Sequence, residues 1–283
     1  MSSRISLVTG GGSGIGRAVA LELARRGDHV VVADRDLARA QAVVGEVSAS
    51  AAGSGEAVAL DVTDREAFVA LGARVQRDHG RIDLLVNNAG IGVGGLVEEL
   101  APTHWDSALD VNLRGVVHGV EAVYPLMVQQ GHGHILNTAS LAGLVPAPLM
   151  VPYTTTKWAV VGLSRSLRVE AAAHGVGVTA LCPGFVDTPL LDDLNPGSPA
   201  TTASTRVRRY VQRLQPRLAS AEEVARAAVA GIERNRELVV VPATARLAAL
   251  AMRAAPRIVA LVSRTEVGRY RADLRAGEPS RAG

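Results

Sequence analysis

Short apolar segments alternate along this chain with longer amphipathic segments, and this alternation restricts its fold more than any other feature. Seven apolar segments have the length and composition of buried strands: residues 5–9, 30–33, 57–60, 84–87, 134–138, 176–182 and 238–241. Six longer segments between them are predicted helices: residues 14–26, 37–50, 64–79, 104–130, 151–174 and 221–235. Such alternation is typical of βαβ units. We therefore predict a doubly wound α/β fold, with a parallel sheet of about seven strands and helices on both faces.

The composition excludes several classes of protein. Hydrophobic residues make up 48% of the 283 residues and charged residues 20%, which is enough apolar material for a large core. No run of 18 uncharged apolar residues occurs, and the N-terminal segment lacks the apolar stretch of a secretory signal. The single cysteine, Cys182, excludes an intrachain disulfide. We therefore expect a cytoplasmic protein.

The basic residues are unevenly distributed. The net charge is +3, but residues 245–283 carry +5 and residues 1–244 carry −2, so a nucleic-acid-binding core is not supported. The basic side chains are 29 arginines and one lysine, Lys157. Because the pKa of a lysine amine can be tuned while a guanidinium stays charged, Lys157 is a candidate for chemistry.

A glycine-rich turn at residues 9–16 (TGGGSGIG) follows the first predicted strand and opens the first predicted helix. Glycines permit a tight turn and let backbone amides approach a pyrophosphate, while the helix N-terminus supplies partial positive charge. The residues of this turn that are expected to bind a nucleotide cofactor are Gly10, Gly12, Ser13, Gly14, Ile15 and Gly16.

An acidic residue, Asp34, ends the second predicted strand and is followed by Arg35. A carboxylate about 20 residues beyond the glycines can accept hydrogen bonds from both adenosine ribose hydroxyls, and it would repel a 2′-phosphate. Asp34 therefore favours NAD over NADP. Arg35 has the opposite effect if its guanidinium holds a phosphate, although it could instead stack on the adenine ring.

Five motifs occur in the order of the short-chain dehydrogenase/reductase family, which the chain resembles over roughly residues 4–243. They are the glycine-rich turn, Asn87-Asn88-Ala89-Gly90, Ser140, Tyr153-Thr-Thr-Thr-Lys157 and Pro183-Gly184. The resemblance implies one Rossmann-type domain over residues 1–243, with a substrate loop at about 188–216, and an added segment at 244–283. It also implies hydride transfer between NAD(H) and a secondary alcohol or ketone, or a primary alcohol or aldehyde.

Tyr153 and Lys157 are four residues apart, so they are neighbours on one helical face. A nearby ammonium favours a phenolate and lowers the pKa of the phenol toward the range useful for proton transfer. We therefore expect Tyr153 to be the general acid and base. The resemblance implies that Ser140 orients the substrate oxygen, that Lys157 also holds the nicotinamide ribose, and that Asn112 carries a proton-relay water.

The resemblance implies further cofactor contacts at the ends of later strands. Asp61 and Val62 would contact the adenine ring. The residues expected to line the rest of the cofactor are Asn88, Ala89, Gly90, Pro183, Gly184, Val186 and Thr188, the last two holding the carboxamide. We expect no metal site. Apart from His132 and His134, none of the seven histidines has the spacing of metal ligands, and the resemblance implies that a glycine-rich loop such as the one holding these two is common at this place.

The residues that the resemblance puts near the substrate are mainly apolar, which predicts a lipophilic substrate. They are Leu141, Ala142, Leu144, Pro146, Leu149, Met150, Leu190 and Leu191. Among these, Ala142, Leu144 and Leu190 are expected to contact the substrate together with Ser140 and Tyr153. Two alternatives stay open, an NADP-dependent reductase of the 3-ketoacyl type and a non-catalytic nucleotide-binding protein with the same fold.

The added segment contains a predicted amphipathic basic helix at residues 244–264. An apolar stripe is formed by Leu247, Leu250, Ala254, Ile258 and Leu261, and a basic edge beside it by Arg246, Arg253, Arg257 and Arg264. Pro256 should kink or divide this helix, and the polar residues beyond Gly268 are expected to fray. The stripe predicts either a peripheral membrane contact or packing against the protein's own core or a partner subunit. The family resemblance implies a homodimer or homotetramer.

Overall fold

The structure is a computed structural model, and it describes residues 3–49, 53–204, 211, 215 and 217–277. The strands are β1 (Ile5–Thr9), β2 (His29–Asp34), β3 (Ser54–Ala59), β4 (Leu84–Asn87), β5 (Gly133–Thr138), β6 (Val176–Pro183) and β7 (Leu238–Val241). They form one seven-stranded parallel sheet in the order β3-β2-β1-β4-β5-β6-β7. The predicted doubly wound parallel sheet is confirmed.

Helices connect the strands and cover both faces of the sheet. They are α1 (Gly14–Arg25), α2 (Leu37–Ala49), α3 (Arg65–His79), α4 (Pro102–Leu109), α5 (Gly115–Gln130), α6 (Val151–Ala171), α7 (Ala221–Glu233), α8 (Ala243–Ala254) and α9 (Pro256–Gly277). The last residue of the helix predicted at 37–50 lies outside the described residues.

Alternate residues of each central strand pack on opposite faces of the sheet. In β1, Leu7 packs in one core with Phe68 of α3, whereas the next residue, Val8, packs in a second core with Val19 of α1. All four of these side chains are fully buried. Because both faces are covered, central strands such as β1 and β4 are largely continuous apolar runs, as the sequence predicted, whereas the edge strand β3 begins at Ser54, before the predicted residue 57, and is only partly buried.

The helix predicted at residues 104–130 is interrupted. It consists of α4, a π-helical turn at Asp110–Arg114, and α5. Asn112 lies in this turn, where its amide donates to the backbone oxygen of Ile91 at 3.0 Å and accepts from the Ile91 N–H at 2.8 Å. Widened turns of this kind occur often at functional sites. Helical periodicity continues through the turn, so the sequence does not reveal it.

The C-terminal segment is helical over most of its length. Pro256 divides it into α8 and α9, as predicted. The expected fraying beyond Gly268 is wrong as far as Gly277, because α9 continues to that residue, and residues 278–283 lie outside the described part of the chain. The reason is that Tyr270 is buried against Leu149 and Ala203, so this turn of the helix is held by tertiary packing. No helix among the described residues is both long enough and apolar enough to cross a bilayer.

The segment after β6, predicted as a substrate loop at 188–216, is described at 188–204, 211 and 215, and its remaining residues lie outside the described part. It begins with a short 3₁₀ turn, Pro189–Leu191. Asn195 then fastens the loop to residue 94, because its side chain accepts from the Gly94 N–H at 2.9 Å and donates to the Gly94 oxygen at 2.8 Å. Thr201 donates to the same oxygen at 2.6 Å.

Candidate active site

A cleft of about 1170 Å³ lies at the carboxyl ends of the strands. In doubly wound sheets, helices leave neighbouring strands toward opposite faces at one point, and ligands bind in the crevice that this opens. Here β1 and β4 are the neighbours on either side of that point. Cofactor, catalytic and substrate residues predicted from distant parts of the sequence therefore lie along one cleft.

The glycine-rich turn forms one wall of the cleft through Gly10, Ser13, Gly14 and Ile15. Gly10 has a φ of 60°, and a β-carbon there would lie 2.8 Å from the Ala89 backbone. Glycine is therefore required for the turn to pack against the end of β4. Gly12 and Gly16 do not line the cleft. At Gly16, a β-carbon would lie 2.1 Å from the Gly10 oxygen, so glycine is required there for α1 to pack closely against the turn.

The carboxylate of Asp34 is held in place at the end of β2. One of its oxygens accepts from the Gly12 N–H at 2.9 Å and the other from the Asp36 N–H at 3.0 Å. Arg35 lines the same part of the cleft, and so does Arg39, which the sequence analysis missed. Arg39 is one helical turn after Asp36, with which it forms an ion pair at 3.2 Å. The predicted carboxylate is thus flanked by two guanidinium groups.

The ends of β3 and β4 supply the next section of the cleft. Asp61, Val62, Asn88, Ala89 and Gly90 all line it, as predicted. The Asn88 amide donates to the oxygens of Thr9 and Gly10 at 3.2 and 3.3 Å, which ties the end of β4 to the glycine-rich turn. The side chain of Asp61 accepts from the N–H and hydroxyl of Thr63, so it closes its own turn.

The four predicted catalytic residues lie together. Ser140, Tyr153 and Lys157 line the cleft, and Asn112 is buried behind it. Lys157 Nζ donates to the Thr138 oxygen at 2.8 Å and lies 5.5 Å from the centre of the Tyr153 ring. Asn112 Oδ1 and Lys157 Nζ approach the same point, since a β-carbon at Gly90 would be 3.1 and 3.6 Å from them.

Burial decides the pKa values of the catalytic pair. Burial raises the pKa of Tyr153, and a hydrogen bond between Ser140 and the phenol oxygen, which lowers this pKa, only partly offsets the effect. Burial also lowers the pKa of Lys157, to about 8. The expected lowering of the tyrosine pKa by the ammonium is therefore wrong for this structure, because desolvation, which disfavours the phenolate, is the largest influence on the phenol.

Cys182 lies beside this pair at the end of β6 but is not set up as a nucleophile. Its side chain is buried, and burial raises the pKa of the thiol to about 12. The thiol is therefore neutral at physiological pH and fills space in the core.

The turn after β6 closes the cleft on the side predicted to hold the nicotinamide. Pro183, Gly184, Val186 and Thr188 all line it. Gln215, which was not among the predicted residues, holds this turn. Its side-chain oxygen accepts from the Phe185 N–H at 3.1 Å, and its side-chain nitrogen donates to the Phe185 oxygen at 2.8 Å. This clamp fixes the turn from a residue thirty positions away, for which the sequence carries no local signal.

The far end of the cleft is apolar, and its outer wall comes from the C-terminal helices. Ala142 and Leu190 line it as predicted, but Leu144 does not, because its side chain packs against Val160 and Cys182 in the core. The remaining predicted neighbours that line it are Leu141, Pro146, Met150 and Leu191, whereas Leu149 packs under α9. The residues of α8 and α9 that line it are Thr244, Ala245, Ala248, Ala251, Ile258, Val259, Val262, Ser263 and Glu266.

One group of three potential metal ligands occurs among the described residues, and it lies outside the cleft. It consists of His29 of β2, Glu56 of β3 and His79 of α3, with ligand atoms within 4.8 Å of one another. Both oxygens of Glu56 accept from Arg74 at 3.0 Å, so a guanidinium already neutralises the carboxylate. We assign no metal there. The sequence could not indicate this group, since its members come from separate elements.

Comparison with known proteins identifies relatives of this fold and site. The model of the short chain dehydrogenase family matches residues 4–199. Probable oxidoreductase EphD of Mycobacterium tuberculosis is 41% identical over 195 residues, which are 69% of this chain and 33% of that protein. The chain therefore matches about a third of the length of that curated relative.

Two solved structures are similar over nearly the whole chain. A short chain dehydrogenase/reductase from Burkholderia phymatum in complex with NAD has a TM-score of 0.78 and 33% identity, covering 89% of this chain and 95% of that one. A short-chain dehydrogenase from Sphingobium yanoikuyae in complex with NADPH has a TM-score of 0.73 and 26% identity, covering 99% and 98%. With the family model matching more than half of its residues, this chain belongs to the short chain dehydrogenase family of oxidoreductases.

Proposed function

We propose that this oxidoreductase transfers a hydride between NAD(H) and a secondary alcohol or ketone, or a primary alcohol or aldehyde, with Tyr153 as general acid and base. The observation that carries the proposal is the convergence of Ser140, Tyr153 and Lys157 on the wall of a cleft whose other end is the glycine-rich turn. One continuous cleft can therefore hold a dinucleotide and bring a small carbonyl compound to the catalytic side chains.

The residues at the turn fit a nicotinamide dinucleotide. The side chain of Ser13 does not cap α1, so the first backbone N–H groups of the helix are available to pyrophosphate oxygens. Asp34 is fixed as an acceptor for ribose hydroxyls, and Lys157 can reach those of the second ribose. When bound, the cofactor supplies or accepts the hydride.

The side chains around the reacting oxygen have separate roles in this proposal. Ser140 orients the substrate oxygen, and Tyr153 exchanges a proton with it. Because burial raises the pKa of Tyr153, its phenol stays protonated at neutral pH and can donate to a carbonyl oxygen. The opposite direction, alcohol oxidation, needs the phenolate and is favoured at alkaline pH. Asn112 is held by Ile91, in place for a proton-relay water.

We propose NAD as the preferred cofactor, because a 2′-phosphate would meet the carboxylate of Asp34. The other candidate is an NADP-dependent reductase of the 3-ketoacyl type, which Arg35 and Arg39 favour since both line this part of the cleft. The two similar structures are complexes with NAD in one case and NADPH in the other. The preference between NAD and NADP therefore depends on whether the carboxylate of Asp34 or the guanidinium groups of Arg35 and Arg39 have the larger effect on a 2′-phosphate.

The lining of the far end of the cleft supports a lipophilic substrate. Leu190 and Met150 lie on one side, and Val259 and Val262 of α9 lie on the other. Such walls contribute binding energy in proportion to the apolar area that the substrate buries.

We also propose that the chain forms a homodimer or homotetramer through α6. Val151, Trp158 and Val169 are exposed apolar side chains on this helix. They are 7 and 11 residues apart, so they share one helical face. The family resemblance implies an interface at the helix that carries Tyr153 and Lys157, and this stripe lies on the solvent side of the same helix.

Replacing the proposed acid and base tests the mechanism. Tyr153→Phe removes only the hydroxyl, so NADH binding should persist while turnover falls by about 10² to 10⁴. The measurements are NADH fluorescence titration and steady-state turnover on a panel of alcohols and ketones. Tyr124→Phe is a matched control, since Tyr124 lies on α5 outside the cleft, and it should leave both values unchanged. Normal turnover in Tyr153→Phe would refute the role of the phenol.

Neutralising Asp34 tests the cofactor preference. Asp34→Asn keeps an acceptor for the Gly12 N–H but removes the negative charge, so affinity for NADPH should rise about tenfold or more relative to NADH. The readout is the ratio of the two dissociation constants, measured by fluorescence. Glu66→Gln, which removes an exposed negative charge of α3 outside the cleft, is the control and should leave the ratio unchanged. If the wild type already prefers NADPH, the two arginines dominate and the NADP-dependent reductase is the better proposal.

The buried ammonium should make stability depend on pH. The pKa of Lys157 is about 8 in the folded protein and 10.5 in an unperturbed chain, so between these values the unfolded state binds more protons. As the pH rises from 7 to 10, the wild type should gain about 2 to 3 kcal/mol of unfolding free energy relative to Lys157→Met. Denaturant unfolding without added cofactor measures this. Equal pH slopes for both proteins would contradict it.

The subunit contact is tested by a charge on the exposed stripe of α6. Val169→Glu places a carboxylate in the proposed apolar interface, so the oligomer should dissociate to smaller species. Sedimentation velocity gives the masses of the wild type and the variant. Val69→Glu, at an exposed valine of α3, is the control and should keep the wild-type mass. A monomeric wild type would refute the proposed assembly.

A further inference from the structure

Exposed apolar side chains are concentrated on the C-terminal helices α8 and α9. Five large hydrophobic residues of this segment are between 58% and 67% exposed: Leu247, Leu250, Ile258, Leu261 and Val262. Other exposed large hydrophobics in the described part of the chain are distributed over α2, α3, α6 and a loop. Clustered apolar residues on a surface mark a binding site more often than isolated ones do.

The same segment is basic overall, since residues 243–277 contain seven arginines and two acidic residues, Glu266 and Asp273. Residues 243–265 contain four arginines, Arg246, Arg253, Arg257 and Arg264, and no acidic residue. All four arginines are exposed, and the side chain of Arg246 also donates to the Val240 oxygen at 2.7 Å. An apolar patch with arginines beside it is complementary to a surface that is both apolar and negatively charged.

The opposite side of this segment is already occupied by the protein itself. Ala245 is buried at the start of α8. Near the other end, Tyr270 is buried and its hydroxyl donates to Thr202 Oγ1 at 3.1 Å, while Arg271 forms an ion pair with Glu98 at 2.6 Å. The helices are therefore held without using the exposed apolar residues, which remain available for another surface.

The cleft opens at this surface. Ile258 and Val262 are exposed, yet both line the cleft, so they lie at its rim. Val259 and Ser263, which follow them in the sequence, are half-buried and also line the cleft. A molecule that leaves the apolar surface at the rim therefore enters the substrate end of the cleft without crossing an open water layer.

We propose that α8 and α9 dock on an anionic lipid bilayer, with the rim of the cleft at the contact. An amphipathic basic segment of this kind lies in the plane of the interface, with its apolar side chains among the headgroups. The consequence, which rests on the proposed function, is the substrate class: alcohols or ketones that are dissolved in the membrane and enter the cleft from it.

Vesicle co-sedimentation of the full chain tests the docking. The wild type should bind phosphatidylcholine vesicles that contain phosphatidylglycerol more strongly than pure phosphatidylcholine vesicles. The triple variant Leu247→Gln/Leu250→Gln/Leu261→Gln should reduce binding by about tenfold or more, because it removes apolar side chains that do not line the cleft. Arg253→Gln/Arg257→Gln should remove most of the preference for the anionic vesicles, also by about tenfold. Leu37→Gln/Val69→Gln, on α2 and α3, is the matched control and should bind like the wild type.

Two results would overturn the docking. One is a wild type that binds neither kind of vesicle. The other is a triple variant with a lower mass in sedimentation velocity than the wild type, which would make this surface a contact between subunits. Vesicle binding does not depend on turnover, so a failure of docking is distinguishable from a failure of the proposed reaction.

The substrate class is tested by comparing turnover on water-soluble and membrane-dissolved substrates, once turnover of the wild type has been established. The triple variant should keep wild-type turnover on a short water-soluble alcohol or ketone and lose about tenfold in turnover on a long-chain one presented in anionic vesicles. An equal loss on both substrates, or on neither, would contradict delivery from the membrane.

Discussion

Parallel pairing of the strands is the constraint on which the site depends. In a parallel sheet every strand ends at the same edge, so the residues that follow β1, β2, β4, β5 and β6 meet there. The order of the strands then opens a cleft between β1 and β4. Two contacts fix its shape: the backbone of Gly10 against Ala89, and the Asn88 amide on the oxygens of Thr9 and Gly10.

Burial sets the pKa values of the two side chains that we propose as catalytic. Tyr153 and Lys157 are placed by successive turns of α6 against the ends of β5 and β6, where water has little access. Their charged forms are therefore disfavoured, and the pKa values of the phenol and the ammonium move in opposite directions. The hydrogen bond from Lys157 to the Thr138 oxygen compensates part of the desolvation of the amine.

The C-terminal helices link the site to the protein surface. Their inner residues form a wall of the cleft, and their outer residues form a basic apolar surface beside its mouth. The anchoring side chains, Tyr270 and Arg271, lie in the part of α9 that the sequence predicted to be frayed. The similar structure from Sphingobium yanoikuyae, aligned over 99% of this chain, also extends across this segment. In this chain the added helices therefore belong to the architecture of the site.

The order and type of most elements, the glycine-rich turn, and the candidates Asp34, Ser140, Tyr153 and Lys157 can all be recognised from the sequence. These features depend on local periodicity and on residue types at short spacing, which a linear sequence records. Other features become visible only in the folded chain: the π-helical turn at Asn112, the hydrogen bonds of Gln215 to Phe185, the packing of Leu144 against the core, and the part of the cleft wall that α9 supplies. Each of these depends on contacts between residues far apart in the chain. The pKa values of Tyr153 and Lys157 were also decided there, because desolvation depends on everything packed around a group.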